Sequence, residues 1–214
     1  MSNYYMTTKD LFLLIDLDGT LIDSDYYHYN GYKNVFEKYN ITFSYDLFIE
    51  IINGSGMDVF IEKMLGKKEI QNIKQKKNEY ITTIGHIDFI KNAEVFIDYV
   101  YKYNINHAVV TNTSLMVVNH FKKIRPELNK LTNWITREDY KNPKPDSECY
   151  KLAIQKHFLS NQKIIGFENS ISGHKALKEV TQSVYMVVDE KNNELVEYVK
   201  SEKIIVITDF IFCL

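Results

Sequence analysis

Only two cysteines, three prolines and eight glycines stand among the 214 residues. Cys149 and Cys213 cannot build a disulfide framework, so they read as core or helix residues of a protein in a reducing, cytoplasmic compartment. No stretch rich in Pro, Gly or Ser reads as a linker, and no internal repeat is present. An excess of one charge is lacking too: Lys and Arg number 26 against 28 Asp and Glu, a net −2. That balance leaves no global field to hold nucleic acid or an anionic membrane. Long apolar runs are missing. After a polar start (MSNYYMTTKD), the run Leu11–Ile15 is too short for a signal-peptide core or a bilayer span. What is present is 45% hydrophobic and 25% charged residues, with 16 Tyr and 12 Phe. These are the values of a folded domain with a well-filled core. The length predicts one full domain plus a smaller addition.

Residues 11–18 (LFLLIDLD) form a continuous apolar run that suits a strand covered on both faces. Similar runs recur at 105–111, 163–168, 183–189 and 203–207. Between them, residues 89–103, 115–124, 148–158 and 171–180 carry apolar residues at three-to-four spacing. Strand alternating with helix predicts an α/β fold, a doubly wound parallel sheet of Rossmann-like type, with ligands beyond the carboxyl ends of its strands. One interval is too long. About 85 residues separate the first strand from Ile105, whereas a whole βαβ unit needs roughly 30. The surplus carries amphipathic spacing at 26–39, 45–52, 57–65 and 69–81, broken at Asn53–Gly54 and at Gly66. The expected organisation is an α/β core from residues 1–24 and 86–214 and an all-helical insert at 25–85. Within the insert, Lys67, Lys68, Lys74, Lys76 and Lys77, interleaved with Glu62, Glu69 and Glu79, read as a solvated helix face.

The chemistry concentrates where the first strand ends. Asp16-Leu17-Asp18-Gly19-Thr20 offers two carboxylates two residues apart, on one face of a strand, and Gly19 then lets the backbone turn. Two like charges this close are costly unless a cation neutralises them, which points to a hard metal such as Mg²⁺. The plainer alternative is an Asx turn that ends the strand.

With DGTLIDS at 18–24, VVTNTS at 109–114, KPDSECY at 144–150 and ENSISGHKA at 168–176, the sequence resembles the haloacid dehalogenase-like (HAD) hydrolases. The resemblance covers nearly the whole chain, and the insert looks like the small helical cap of the beta-phosphoglucomutase-like branch. It implies a Mg²⁺-dependent phosphatase acting on a small phosphate monoester (a sugar phosphate, nucleotide or similar metabolite) through an aspartyl-phosphate. Asp16 is then the nucleophile and Asp18 the general acid and base. Thr111 and Asn112, near a helix N-terminus, and Lys144 bind the phosphoryl group. Thr111 also suits a helix N-cap. Lys141 competes with Lys144 but has the poorer surroundings. Asp16, Asp18, Asn169 and Glu168 are the candidate metal residues. Asn169 departs from the family pattern, which has a carboxylate there, so weaker Mg²⁺ affinity is expected. Ser170 and Gly173 read as a helix N-cap and a close packing point.

His28 resembles a hinge or substrate residue of the same branch, against the plainer reading of a packed helix histidine. Met57 stands where that branch carries a phosphate-binding Arg. Tyr26, Tyr27, Tyr29 and Tyr32 offer an aromatic wall for a sugar or nucleoside, although core packing explains most of them. A phosphomutase and a non-catalytic phospholigand-binding homologue are the alternatives. The expected partner is a small-molecule phosphate monoester, with neither nucleic acid nor membrane, in a monomer or homodimer.

Overall fold

The computed structural model describes residues 8–53, 56–188, 192–202 and 204–210; Cys213 and Gly54 lie outside them. Six strands form one sheet: β1 (Leu11–Ile15), β2 (Asn106–Val110), β3 (Trp134–Ile135), β4 (Lys163–Glu168), β5 (Val184–Val187) and β6 (Ile205–Ile207). Their order is β3-β2-β1-β4-β5-β6, and every neighbouring pair is parallel. The chain winds outward in both directions from β1, so the β1–β4 boundary is the point where a ligand crevice opens.

The two-residue period of a strand divides β1 between two cores. Leu13 and Ile15 join Val109 and Phe167 on one face, under α5 (Ala93–Lys102) and α6 (Leu115–Ile124). Phe12 and Leu14 join Ala108 and Val110 on the other, under α7 (Glu148–His157), α8 (Ile171–Leu177) and α9 (Asn193–Glu202). Cys149 is buried in this second core. Burial on both faces is why these strands read as unbroken apolar runs.

The first strand is shorter than its apolar run. Leu17 turns its carbonyl to the amides of Thr20, Leu21 and Ile22, which ends the ladder after Asp16, whose own amide still reaches the Phe167 carbonyl at 2.9 Å. The helix expected from Phe89 begins only at Ala93, because Phe89 is bridged to Ile22 and Asn92 turns into the left-handed region at φ 61°. The helix expected over 171–180 stops at Leu177, whose carbonyl takes the amides of Val180 and Thr181. Strand β3 and helix α9 are additional to the elements expected.

Residues 25–81 hold α1 (Asp25–Glu37), α2 (Tyr45–Asn53), α3 (Met57–Leu65) and α4 (Ile70–Ile81), with a 3₁₀ turn at Lys67–Glu69. These helices enclose a third core of Tyr29, Tyr32, Val35, Phe36, Phe43, Phe48, Ile51, Met57, Ile61 and Ile73. Chain entry and exit lie side by side. The Asp23 amide donates to the Asp88 carbonyl at 2.9 Å, and Ile22 is bridged to Phe89. Among the described residues no helix is long and apolar enough to cross a membrane.

Candidate active site

Asp16 and Asp18 from the end of β1, Thr111 and Asn112 from the end of β2, Lys144, and Glu168 and Asn169 from the end of β4 meet at one end of the sheet. They line a cavity of about 440 Å³ with residues of the helical insert. Lys144 is the hub. Its ammonium is buried and donates to Asp16 Oδ1 (2.6 Å), Glu168 Oε1 (2.7 Å) and the Val110 carbonyl (2.9 Å), which uses all three of its protons. Burial would lower the Lys144 pKa, but Asp16 and Glu168 prevail and hold it well above the usual lysine value. Lys141, the competing candidate, is exposed, and its main-chain amide serves Glu148.

Glu168 is fully buried and its carboxylate is saturated by protein donors. Oε1 also takes the Tyr150 hydroxyl at 3.0 Å. Oε2 takes the amides of Asn169 and Ser170 and the Ser170 hydroxyl. Gly173 permits this: a Cβ there would fall 1.8 Å from Glu168 Oε1. Ser170 caps α8, accepting from the Gly173 amide at 3.0 Å. Glu168, expected among the metal residues, is engaged with Lys144, Tyr150 and the start of α8.

Asp18 accepts from four side chains. Ser24 Oγ and His28 Nε2 lie 2.7 Å from Oδ1, and the Thr111 and Thr113 hydroxyls lie 2.8 Å from Oδ2. Burial pushes the Asp18 carboxyl up, but His28 and the hydroxyl donors overcome it and hold the acid well below the usual range. His28 continues the chain into the insert, where its Nδ1 lies 3.1 Å from Lys77 Nζ on α4. Burial, then Lys77, push the His28 pKa down. Near neutral pH a neutral imidazole therefore donates from Nε2 to Asp18 and accepts at Nδ1 from Lys77, a tautomer assigned from those two partners.

Lys77 corrects the reading of the lysine cluster as a solvated face. It is only 7% exposed, sits over the Tyr32 ring, and is pushed down to about 8 by burial, with Asp18 pulling the other way. It lies on the inward stripe of α4 between Ile73 and Ile81, at four-residue spacing, and that spacing was the signal in the sequence. Ser24, Thr113 and Tyr150 lie within the motif stretches, but the sequence alone assigns them no role. Tyr140 also contributes, donating to Asn112 Oδ1 at 2.7 Å. Of the four tyrosines proposed as a wall, Tyr32 alone lines the cavity. Tyr29 is buried in the insert core, Tyr27 packs against the sheet core and Tyr26 is 58% exposed.

The oxygen donors suit a hard cation. Thr20 Oγ1 lies 3.0 Å from Asp16 Oδ2 and 3.3 Å from Asn169 Oδ1, so two acceptor oxygens converge on one hydroxyl with one proton to give. Burial, Glu168 and Asp18 push the Asp16 carboxyl up against the pull of Lys144. A cation at these oxygens relieves that crowding. Among the described residues no group of three His, Cys, Asp or Glu side chains is gathered as a metal cage. The oxygens that converge there are a carboxylate oxygen of Asp16 and the amide oxygen of Asn169, a pair that could hold a partly hydrated Mg²⁺.

A family model described as haloacid dehalogenase-like hydrolase matches residues 13–187. Among named relatives, the chain is 25% identical over 189 residues to a phosphorylated carbohydrates phosphatase of Thermotoga maritima, covering 85% of this chain and 87% of that protein. Among solved structures, it is similar to a HAD hydrolase, family IA, variant 3, of Entamoeba histolytica, with TM-score 0.75, 19% identity and coverage of 94% and 93%. It is also similar to CbbY of Rhodobacter sphaeroides in complex with phosphate, with TM-score 0.73, 18% identity and coverage of 85% and 88%. These two likenesses establish the shared fold.

Proposed function

The chain belongs to the haloacid dehalogenase-like hydrolase family, and from that premise we propose that it is a Mg²⁺-dependent phosphatase of a small phosphate monoester. The observation that carries this reading is the pairing at the end of β1. Asp16 is held by Lys144 beside the converging oxygens, while Asp18, two residues on, is held apart by four donors. Two carboxylates kept in different environments can take different roles. The relative named as a phosphatase of phosphorylated carbohydrates supports the substrate class.

In this reading a carboxylate oxygen of Asp16 attacks phosphorus and the ester P–O bond breaks, leaving an aspartyl-phosphate. Asp18 gives a proton to the departing alcohol and then takes one from the water that attacks the acyl-phosphate, which frees phosphate and Asp16. Asp18 is ionised as it stands. The arriving phosphate dianion, and the turning of Thr111 from Asp18 to a phosphoryl oxygen, both raise its proton affinity, so that Asp18 takes the proton it will donate from solvent as the substrate docks. Lys144 screens the charge on the transferring group and pulls Asp16 toward its ionised form against burial and the neighbouring carboxylates. Asp16, Asn169 and the main-chain carbonyl of Asp18 would hold Mg²⁺, which supplies charge neutralisation at the phosphoryl oxygens.

The helices of residues 25–85 act as the cap that excludes water and selects the alcohol. Met57 lies in the cavity wall, Lys74 is paired with Asp58 at 2.5 Å, and Lys77 is bonded to His28. Among its described residues the cap thus presents no unpaired cation to the cavity, and this favours monophosphates and hydrolysis over a mutase with a bisphosphate intermediate. The test is a panel of sugar and nucleoside monophosphates incubated with Mg²⁺, measuring free phosphate and isomerised sugar phosphate separately. Phosphate release that is lost with EDTA supports the reading. Isomer without phosphate, or neither product, overturns it.

A further inference from the structure

Lys74, Lys77, Arg137 and Lys144 all line the cavity, and the three lysines have their side-chain partners inside it. Lys144 is bound to Asp16 and Glu168, Lys74 to Asp58, and Lys77 donates to His28. Arg137 stands in the 3₁₀ turn at Arg137–Asp139 that follows β3. Its main-chain amide donates to the Thr113 carbonyl at 3.1 Å, which fastens the turn beside the donors of Asp18. Its guanidinium donates from Nη1 to the Tyr140 carbonyl (2.7 Å) and from Nη2 to the Lys141 carbonyl (3.1 Å), and lies 5.2 Å from the centre of the Tyr140 ring. The hydroxyl of that ring reaches the Thr111 carbonyl and Asn112 Oδ1. One aromatic ring thus separates the guanidinium from the phosphate-binding end of β2.

Both partners of this guanidinium are neutral carbonyls. The acids next to it in sequence are engaged elsewhere: Glu138 takes the Leu115 amide, and Asp139 takes the Thr136 amide and hydroxyl. Two hydrogen bonds leave three of the five guanidinium N–H donors without a partner among the described residues. A guanidinium does not release its proton, so the charge stays, half-buried at the cavity wall. The two carbonyls hold its planar head in one orientation, which lowers the entropy cost of binding a further acceptor. A single planar cation of this kind matches a planar group of single negative charge, a carboxylate.

We propose that Arg137 binds a second anionic group on the leaving alcohol, a carboxylate, so that the preferred substrates are phosphate monoesters of hydroxy acids. The proposal rests on the phosphatase reading above and narrows its substrate class. Arg137 lies on the sheet side of the cavity, not in the cap.

The test measures steady-state phosphate release with Mg²⁺ for pairs of esters that differ in a carboxylate against a hydroxymethyl group. The pairs are 3-phosphoglycerate with glycerol 3-phosphate and 6-phosphogluconate with sorbitol 6-phosphate. Fructose 1,6-bisphosphate with fructose 6-phosphate asks whether a second phosphoryl group is taken instead. Wild type should favour the acid about tenfold or more in kcat/KM in at least one pair. Arg137→Gln should raise KM for that acid by a similar factor and move KM for its neutral partner by less than about twofold. Arg137→Lys should keep part of the preference, and serves in place of Arg137→Gln if the latter does not fold. An equal loss for both members of each pair makes Arg137 a brace for the turn that leads to Lys144 and overturns the proposal, as does a wild type with no preference. Preference for the bisphosphate over both acids overturns the carboxylate assignment. Release from the neutral esters without preference leaves the phosphatase reading standing, and release from no ester overturns both.

Discussion

Asp18 and Asp16 are two residues apart and share no partner: Asp18 is held by three hydroxyls and an imidazole, Asp16 by an ammonium and the Thr20 hydroxyl. Asp16→Asn is nearly isosteric but a poor nucleophile, so turnover should vanish while the far-UV circular dichroism stays that of wild type. Residual activity of more than about a few per cent in the pure variant removes Asp16 from the reaction. Asp18→Asn should slow hydrolysis by roughly 10²–10⁴-fold. The loss should be larger for alkyl than for aryl phosphates, since a phenolate leaves with less help from an acid. Equal losses for the two ester classes, compared by steady-state kcat, argue against the acid role. Which residues meet at this end of the sheet was legible because Asp16, Asp18, Thr111, Lys144, Glu168 and Asn169 each follow a strand or sit in a motif. Their partners were not. Tyr150 reaches Glu168 from α7, 18 positions away, and Thr113 reaches Asp18 across 95 positions; no local spacing encodes such contacts.

Helices α1 and α4 pack together, and the buried Lys77 ties them to the site through His28. Replacing it with Met removes a charge-assisted hydrogen bond, and kcat/KM should fall roughly tenfold. Stability should hold or rise at neutral pH, because a desolvated ammonium gives way to an apolar side chain of similar length. A pH series checks the sign. Lys77 is protonated in both folded and unfolded chains below about 8. Between about 8 and the ordinary lysine value of 10.5, the folded chain releases the proton and the unfolded chain keeps it. This contribution to stability therefore rises with pH across that window. Urea midpoints should show that rise in wild type and lack it in Lys77→Met. Phe36, fully buried against Phe43 and Phe60, anchors the insert core. Phe36→Ala should cost about 3–5 kcal/mol by urea denaturation. The elements of the insert were legible from three-to-four spacing, with α3 (Met57–Leu65) as read. The two-residue β3 was not, since a pair such as Trp134–Ile135 has no period to detect.

Across the whole molecule, one cavity lies between the helical insert and the strand ends, and its roughly 440 Å³ is the size of a small-molecule site. Hexose monophosphates and p-nitrophenyl phosphate should release phosphate in a colorimetric assay, whereas a phosphorylated protein should release none. Turnover of the phosphoprotein at a comparable rate would mean that the insert does not cover the site. The doubly wound sheet was legible because strands buried on both faces leave unbroken apolar runs. The way the insert is joined to it has a consequence for descent with modification. Asp23 is bonded to Asp88 and Ile22 to Phe89, so the chain leaves the sheet and returns to it at a single closed seam. The strands are indifferent to the length and shape of what hangs from such a seam. A lineage can lengthen, trade or resculpt that segment, and with it the choice of alcohol, while the machinery at the strand ends is inherited unchanged.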